Sequence, residues 1–286
     1  MKWSKLHKNN KVWLSVAITS FSFFLLDIFL LEKLLLKTRK FKIGNLENDN
    51  HITIVQISDL HFKRYFNWKY RRLINSIKKI NPDLIIITGD ALDRTGQLPP
   101  LRKFLAQLPK QITKVSILGN HDYVNDTHNN QLINTYKKYG IDYLINESKV
   151  YDFKHFKLAI TGLDDFMEGT DNFEKAFANI NGEKNHVILA HNPKHIERLS
   201  PFLHRYNKLQ NKKIKPQLIL SGHTHGGQVK LDSYAPGLPV NSGKYVDGWY
   251  QTDFGDLYIN KGIGTSTIPV RFGARSEVTI FDYFPQ

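Results

Sequence analysis

The chain has 286 residues, enough for one large domain, and its 41% hydrophobic and 12% aromatic content excludes a disordered protein. Cysteine is absent, which excludes disulfides and thiolate ligands, so any metal must be held by imidazole, carboxylate, amide or backbone groups. The net charge of +14 admits an anionic partner, and half of that excess lies in residues 1–42, beside one apolar segment.

That segment, Val12 to Leu31, has the ~20 residues that a helix needs to cross a bilayer core, and it predicts one N-terminal transmembrane helix. A buried amphipathic helix and a cleaved signal peptide are the alternatives. No small-residue cleavage site follows the run and no twin arginine precedes it, which favours an uncleaved anchor. Basic residues stand on both sides (Lys2, Lys5, Lys8 and Lys11; then Lys33, Lys37, Arg39, Lys40 and Lys42), so the orientation stays open. The expected organisation is an anchor with basic flanks over 1–42, a polar linker over 43–51 and a catalytic domain over 52–286, in a single-pass inner-membrane protein.

From residue 52 strand-like and helix-like patterns alternate. Strands are expected at Ile52–Ser58, Leu84–Thr88, Lys114–Leu118, Lys157–Thr161, His186–Ala190 and Gln217–Leu220, and helices at Trp68–Ile80, Leu101–Leu108, Gln131–Lys138 and Pro193–Tyr206. This is an α/β layered fold with its site at the carboxyl ends of the strands. The tail, richer in Gly, Pro and aromatics, suggests a second, partly antiparallel sheet with strands at Gly226–Lys230, Asp256–Asn260 and Val278–Tyr283.

Polar residues that carry chemistry end these strands: Asp59-Leu60-His61, Gly89-Asp90, Gly119-Asn120-His121-Asp122, His191-Asn192 and Gly222-His223-Thr224-His225. Strand alternation would turn Asp59 with His61, and His223 with His225, to the same side. Asp59, His61, Asp90, Asn120, His191, His223 and His225 are too many donors for one tetrahedral ion. They suit two borderline divalent ions, manganese first, with iron or zinc as alternatives. Two such ions can clamp the attacking and leaving oxygens of a phosphoryl group.

The motifs D-L-H (59–61), G-D (89–90), G-N-H-D (119–122), A-H-N-P (190–193) and S-G-H-T-H-G-G-Q (221–228) resemble those of the calcineurin-like metallophosphoesterase family, in its subgroup of small membrane-associated bacterial enzymes. The resemblance covers about residues 52–283 and implies a sandwich of two mixed β-sheets flanked by helices. It further implies that Asp59, His61 and His225 hold one ion, that Asn120, His191 and His223 hold the second, and that Asp90 bridges them. By the same resemblance His121 contacts the scissile phosphate and assists the leaving oxygen, Asp122 orients His121, and a water activated by both ions attacks in line. The substrate it suggests is the pyrophosphate of UDP-2,3-diacylglucosamine in lipid A synthesis. The alternative is a broader phosphodiesterase or phosphatase on phospholipids, cell-wall precursors or nucleotides.

The expected partners are an amphiphilic phosphate substrate and membrane lipids. Nucleic acid is not expected, because beyond the first 42 residues the charge is modest and no nucleic-acid module is present. The remaining histidines (His7, His51, His128, His155, His186, His195 and His204) read as structural or surface residues. Residues 63–72 interleave aromatic and basic side chains and could touch lipid or simply form a solvated helix face. Tyr234, Tyr245 or Trp249 could line a substrate pocket, Lys261, Arg271 and Arg275 could neutralise a second phosphate, and Asp164 and Asp165 could support the ligands or merely form a turn.

Overall fold

The computed structural model describes residues 2–27, 32, 35–125, 130–232, 234–266 and 269–286. The strands, in chain order, are β1 (Lys37–Gly44), β2 (Ile52–Ile57), β3 (Leu84–Thr88), β4 (Thr113–Ile117), β5 (Asp142–Tyr143), β6 (Glu147–Phe153), β7 (Phe156–Gly162), β8 (His186–Leu189), β9 (Leu218–Ser221), β10 (Gly248–Thr252), β11 (Gly255–Ile259) and β12 (Glu277–Phe284). They form two mixed sheets, one in the order β1-β12-β2-β3-β4-β5 and the other β10-β11-β9-β8-β7-β6. β2 through β5 run parallel, as do β7, β8, β9 and β11. The antiparallel pairs are β12 with β2, β6 with β7 and β10 with β11.

Strand alternation accounts for the layering. Ile52 and Ile54 of β2, Leu84 and Ile86 of β3, Val187 and Leu189 of β8, and Leu218 and Leu220 of β9 share one cluster between the sheets. Their neighbours Val55, Ile57, Ile85 and Ile87 face away, onto α2 (Trp68–Ile80) and α3 (Leu98–Leu105). Ile188 and Ile219 face away on the other side, onto the helix Ile196–Gln210. These strands are apolar on both faces because both faces are covered. α2 buries Tyr70, Leu73, Ile74 and Ile77, one face of a helix, each contributing about 1.5–3 kcal/mol on burial. It stops at Asn81, whose left-handed backbone (φ 48°) caps the last turn through its N–H to the Ile77 carbonyl.

The N-terminal expectation is corrected. The first helix, Lys2–Leu26, opens with a lysine-rich polar half and holds only Val12–Leu26 of the apolar run, fewer than the ~20 residues a bilayer core demands. No helix among the described residues is long and apolar enough to cross a membrane, which overturns the single-pass inner-membrane assignment; residues 28–31 of the expected span lie outside the described residues. The basic run after it is not a membrane flank but β1, an edge strand parallel to β12. Its cations answer acids on that neighbour, Arg39 to Glu277 at 2.9 Å and Lys40 to Asp282 at 2.8 Å. β5, β6 and β10 were also not foreseen. The strand expected over 226–230 is instead a short 3₁₀ turn at His225–Gly227, followed by a lone bridge from Val229 to Phe272.

Candidate active site

The site lies where the carboxyl ends of the two sheets meet. Gln56 of β2 ties them, donating to Thr88 Oγ1 and across to the Ser221 carbonyl at 3.0 Å. Asp59, His61, Asp90, His223 and His225 stand just past strand ends, all with left-handed backbone (φ 46° to 68°), a conformation that costs a non-glycine residue about 1–3 kcal/mol. The pairing of Asp59 with His61 therefore comes from two left-handed turns beyond β2, not from strand alternation. The turn is held by Asp59 N–H to the Gly89 carbonyl and His61 N–H to the Asp90 carbonyl. Gly89 sits at φ 87° with no room for a Cβ beside His191.

All seven expected donors come together. His61 Nε2 and His225 Nε2 are 3.0 Å apart, and Asp59 Oδ1 is 3.4 Å from the latter. Asp90 Oδ2 lies 3.5 Å from His61 Nε2 and 3.4 Å from His191 Nε2. Asn120, at the start of the short helix α4 (Asn120–Asn125), puts its Oδ1 3.1 Å from His223 Nδ1. Three carboxylate–imidazole groups have the spacing to hold a metal ion: Asp59, His61 and His225; Asp59, Asp90 and His191; and His61, Asp90 and His121. The donor set fits divalent ions on its own chemistry, because His191 Nε2 is buried beside this cluster with no hydrogen-bond partner. His121, read from the sequence as a substrate contact, thus also sits within ligand range of Asp90.

The far edges of the imidazoles are fixed by specific partners. His191 Nδ1 is 2.7 Å from the Thr88 carbonyl and His223 Nε2 is 3.3 Å from the Val240 carbonyl, so each donates there and keeps its other nitrogen for the cluster. His61 Nδ1 faces Asp93 Oδ2 at 3.6 Å. Burial opposes ionisation of Asp90, yet His191, His61 and His121 outweigh it and hold its carboxyl well below the usual range. Burial likewise opposes the charged form of His191, and Asp90, Asp59 and Asp165 reverse the balance, raising it well above an ordinary histidine. Burial lowers His121 to about 4 and His223 to about 3.

Asp122 is not aimed at solvent or substrate. Its carboxylate accepts from the amides of Leu92 (2.8 Å), Gly119 (3.1 Å) and Ala91 (3.3 Å), tying the loop after β3 to the turn that carries Asn120 and His121. Burial, then Asp90, raises it to about 7.

A cavity of about 300 Å³ opens over the cluster, its wall including Arg94, Met167, Leu238, Pro239 and Val240. The aromatic residues expected there lie elsewhere. Tyr234 is exposed, Tyr245 packs with Tyr250, and Trp249 packs on Phe41 and Tyr258. Arg271 is no phosphate ligand either. It is fully buried, donates to the carbonyls of Lys261, Gly262, Gly264, His225 and Ala274, and lies 3.2 Å from His225 Nδ1. Lys261 and Arg275 face Asp247 and Glu32. Asp165 caps the amides of Met167 and Glu168, a turn role, while adding charge near His191. In residues 63–72, Tyr70 is core, stacked on Phe62, whereas Tyr65 and Trp68 are exposed under Arg64 and Arg72. Of the other histidines, His186 and His195 are buried, His51 stacks on Phe284, and His155 and His204 are exposed; His128 and the side chain of His7 lie outside what is described.

Sequence reasoning missed Arg94, Val240 and Ser266 in the cavity wall, which Gln228, the end of the 221–228 motif, also lines. The G-x-G-x-S run at 262–266 was a signal for Ser266.

Residues 52–227 match the family described as calcineurin-like phosphoesterase. The chain is 32% identical to the uncharacterized metallophosphoesterase YkuE of Bacillus subtilis over 80% of this chain and 77% of that protein. It is 29% identical to the B. subtilis protein YpbG over 86% of each chain. It is 28% identical to the phosphodiesterase YaeI of Escherichia coli over 82% of this chain and 83% of that one.

Proposed function

The chain belongs to the calcineurin-like phosphoesterase family and is a hydrolase of phosphoester bonds, and from that premise we propose that it cleaves phosphodiester or pyrophosphate bonds with two divalent ions. The observation that carries this reading is the convergence of seven nitrogen and oxygen donors, with His191 Nε2 buried beside Asp90 and making no hydrogen bond. In it, Asp59, His61 and His225 would hold one ion, Asn120, His191 and His223 would hold the other, and Asp90 would serve both. Imidazole and carboxylate donors suit manganese, iron or zinc, and manganese is the first choice. When bound, the ions supply charge neutralisation of the phosphoryl oxygens and a water acidic enough to attack at neutral pH.

The chain's own residues do the rest. Water adds to phosphorus, the P–O bond to the leaving group breaks, and the water's proton ends on the leaving oxygen. His121, at the cavity edge, hydrogen-bonds that oxygen as the bond lengthens. Asp122 acts as a positioning residue, through the loop amides it binds rather than through the imidazole. Arg94 adds positive charge at the mouth.

The finer substrate reading is an amphiphilic phosphate, supported by the apolar wall of Met167, Leu238, Pro239 and Val240 beside the donor cluster. UDP-2,3-diacylglucosamine has that chemistry. The test is manganese-supplemented hydrolysis of this compound beside bis(p-nitrophenyl) phosphate, with products resolved by mass. Release of UMP and diacylglucosamine phosphate, much faster than p-nitrophenol, supports the lipid pyrophosphatase reading. Cleavage of the chromogenic diester alone keeps the phosphodiesterase and rejects that substrate; no cleavage of either rejects the proposal.

A further inference from the structure

The one hydroxyl among the cavity-lining residues belongs to Ser266, which ends a loop over residues 262–266. The loop is built to sit hard against the first motif. Gly264 N–H donates to the Asp59 carbonyl at 2.6 Å, Ile263 N–H donates to the Ser58 carbonyl, and a Cβ at Gly264 would lie 2.7 Å from that of His61. Arg271 grips the same loop from behind through the carbonyls of Gly262 and Gly264. Ser266 is then fixed individually: its N–H donates to Gln228 Oε1 at 3.0 Å, and Gln228 is itself buried, with a left-handed backbone (φ 54°) next to the 3₁₀ turn of His225. So anchored, Ser266 Oγ stands 3.5 Å from His121 Nε2. The other ring nitrogen of His121 is buried without a partner, so Ser266 is the polar group best placed to decide how this imidazole presents itself.

We propose that Ser266 is a positioning residue for the reaction, accepting a hydrogen bond from His121 Nε2–H and so holding that edge of the imidazole toward the cavity until the leaving oxygen replaces the serine as its acceptor. The assignment rests on the role given to His121 above. A separation of 3.5 Å is long for a hydrogen bond, and contacts of this kind shorten when substrate closes the site. Gln228 is the second part of the device, because its side-chain carbonyl sets the height of the serine over the imidazole.

Three measurements on the full chain test this. With manganese bound, Ser266→Ala loses roughly tenfold in kcat/KM on aryl methyl phosphodiesters, the worth of about one hydrogen bond, and loses more as the leaving phenol becomes less acidic. Ser266→Ala added to His121→Ala has no further effect, since the serine acts only through the imidazole. In the metal-free protein, Ser266→Ala moves the ¹⁵Nε2 resonance of His121 and leaves that of His186 in place. A leaving-group dependence equal to wild type, additive losses in the double variant, or an unmoved His121 resonance would each overturn the assignment. Failure of the wild-type chain to cleave any diester in the series would instead reject the hydrolase reading and the serine's role with it.

Discussion

His186 opens β8 and His191 stands just past its end, and both are completely buried. At the amino edge burial acts alone. The His186 imidazole is hydrogen-bonded through Nε2 to Thr161 Oγ1 at 2.7 Å, and burial drives its pKa down to about 3. At the carboxyl edge the same burial is opposed by Asp90, Asp59 and Asp165, and His191 is held well above the ordinary value. Equal burial with opposite outcomes shows that the site is made by what the neighbouring strand ends contribute. In parallel strands those ends carry the loops, so polar side chains from β2, β3 and β8 can gather there without interrupting a ladder.

Removing the central carboxylate erases this difference, and it has the largest expected effect. Asp90→Asn takes away the group shared by two of the three donor clusters and the main charge on His191. Metal content, read by mass spectrometry, should fall for both ions, with a loss in kcat on the order of a thousandfold or more. Full metal occupancy in this variant would break the proposed bridging role.

His121→Ala sharpens the comparison from the other side, since His121 belongs to the carboxyl edge but opens to the cavity. Turnover should drop by about 10²–10⁴ while both ions stay bound, the size expected for a group that assists proton movement at the leaving oxygen. Loss of an ion together with activity would make His121 a ligand, as its place in the cluster with His61 and Asp90 also permits.

A smaller effect is expected one step outside the donors. Asp93 faces Nδ1 of His61 at 3.6 Å and also meets Lys63. Asp93→Asn keeps an acceptor but removes the charge behind the imidazole, and the affinity for the weaker-held ion, measured by competition with a chromogenic chelator, should fall about 10- to 100-fold. An unchanged affinity would mean that His61 is oriented by its own backbone turn alone.

The ease with which the sequence reveals each part follows from distance along the chain. Asp59, Asp90, Asn120, His191 and His223 could be singled out because each sits two or three residues beyond a short apolar strand, so pattern and chemistry are adjacent. The α/β alternation was legible for the same reason, whereas the two-sheet sandwich came from the family resemblance. The tail does not form the second sheet by itself: β12 joins the first sheet and β11 the second. β1 was not legible: its lysines resemble a membrane flank until Glu277 and Asp282 of β12, far along the chain, are placed beside them. The apolar run of the first helix was misread by length, since the helix that contains it is polar over its first half. Arg271 and the Val240 carbonyl were illegible in a stricter sense. Their roles depend on backbone atoms of residues distant in sequence, and a backbone carbonyl has no residue type to betray it.

The smallest of the expected effects tests the amino edge itself. A histidine whose folded pKa is lowered binds fewer protons folded than unfolded in the interval between the two values. His186 therefore contributes its full stability above the unfolded pKa of about 6.5 and loses it as the pH falls toward about 3. Within that window the loss is roughly 1 kcal/mol per pH unit. Melting temperatures of the metal-free protein between about pH 8 and about pH 4, compared with His186→Gln, isolate this contribution from the carboxylates and from the site histidines, which titrate in both proteins. Wild type should lose more stability on acidification than the variant, with the two curves diverging below about pH 6.5. Parallel curves would mean that His186 is protonated or solvated in the fold, and that burial alone does not set the amino edge apart from the carboxyl edge.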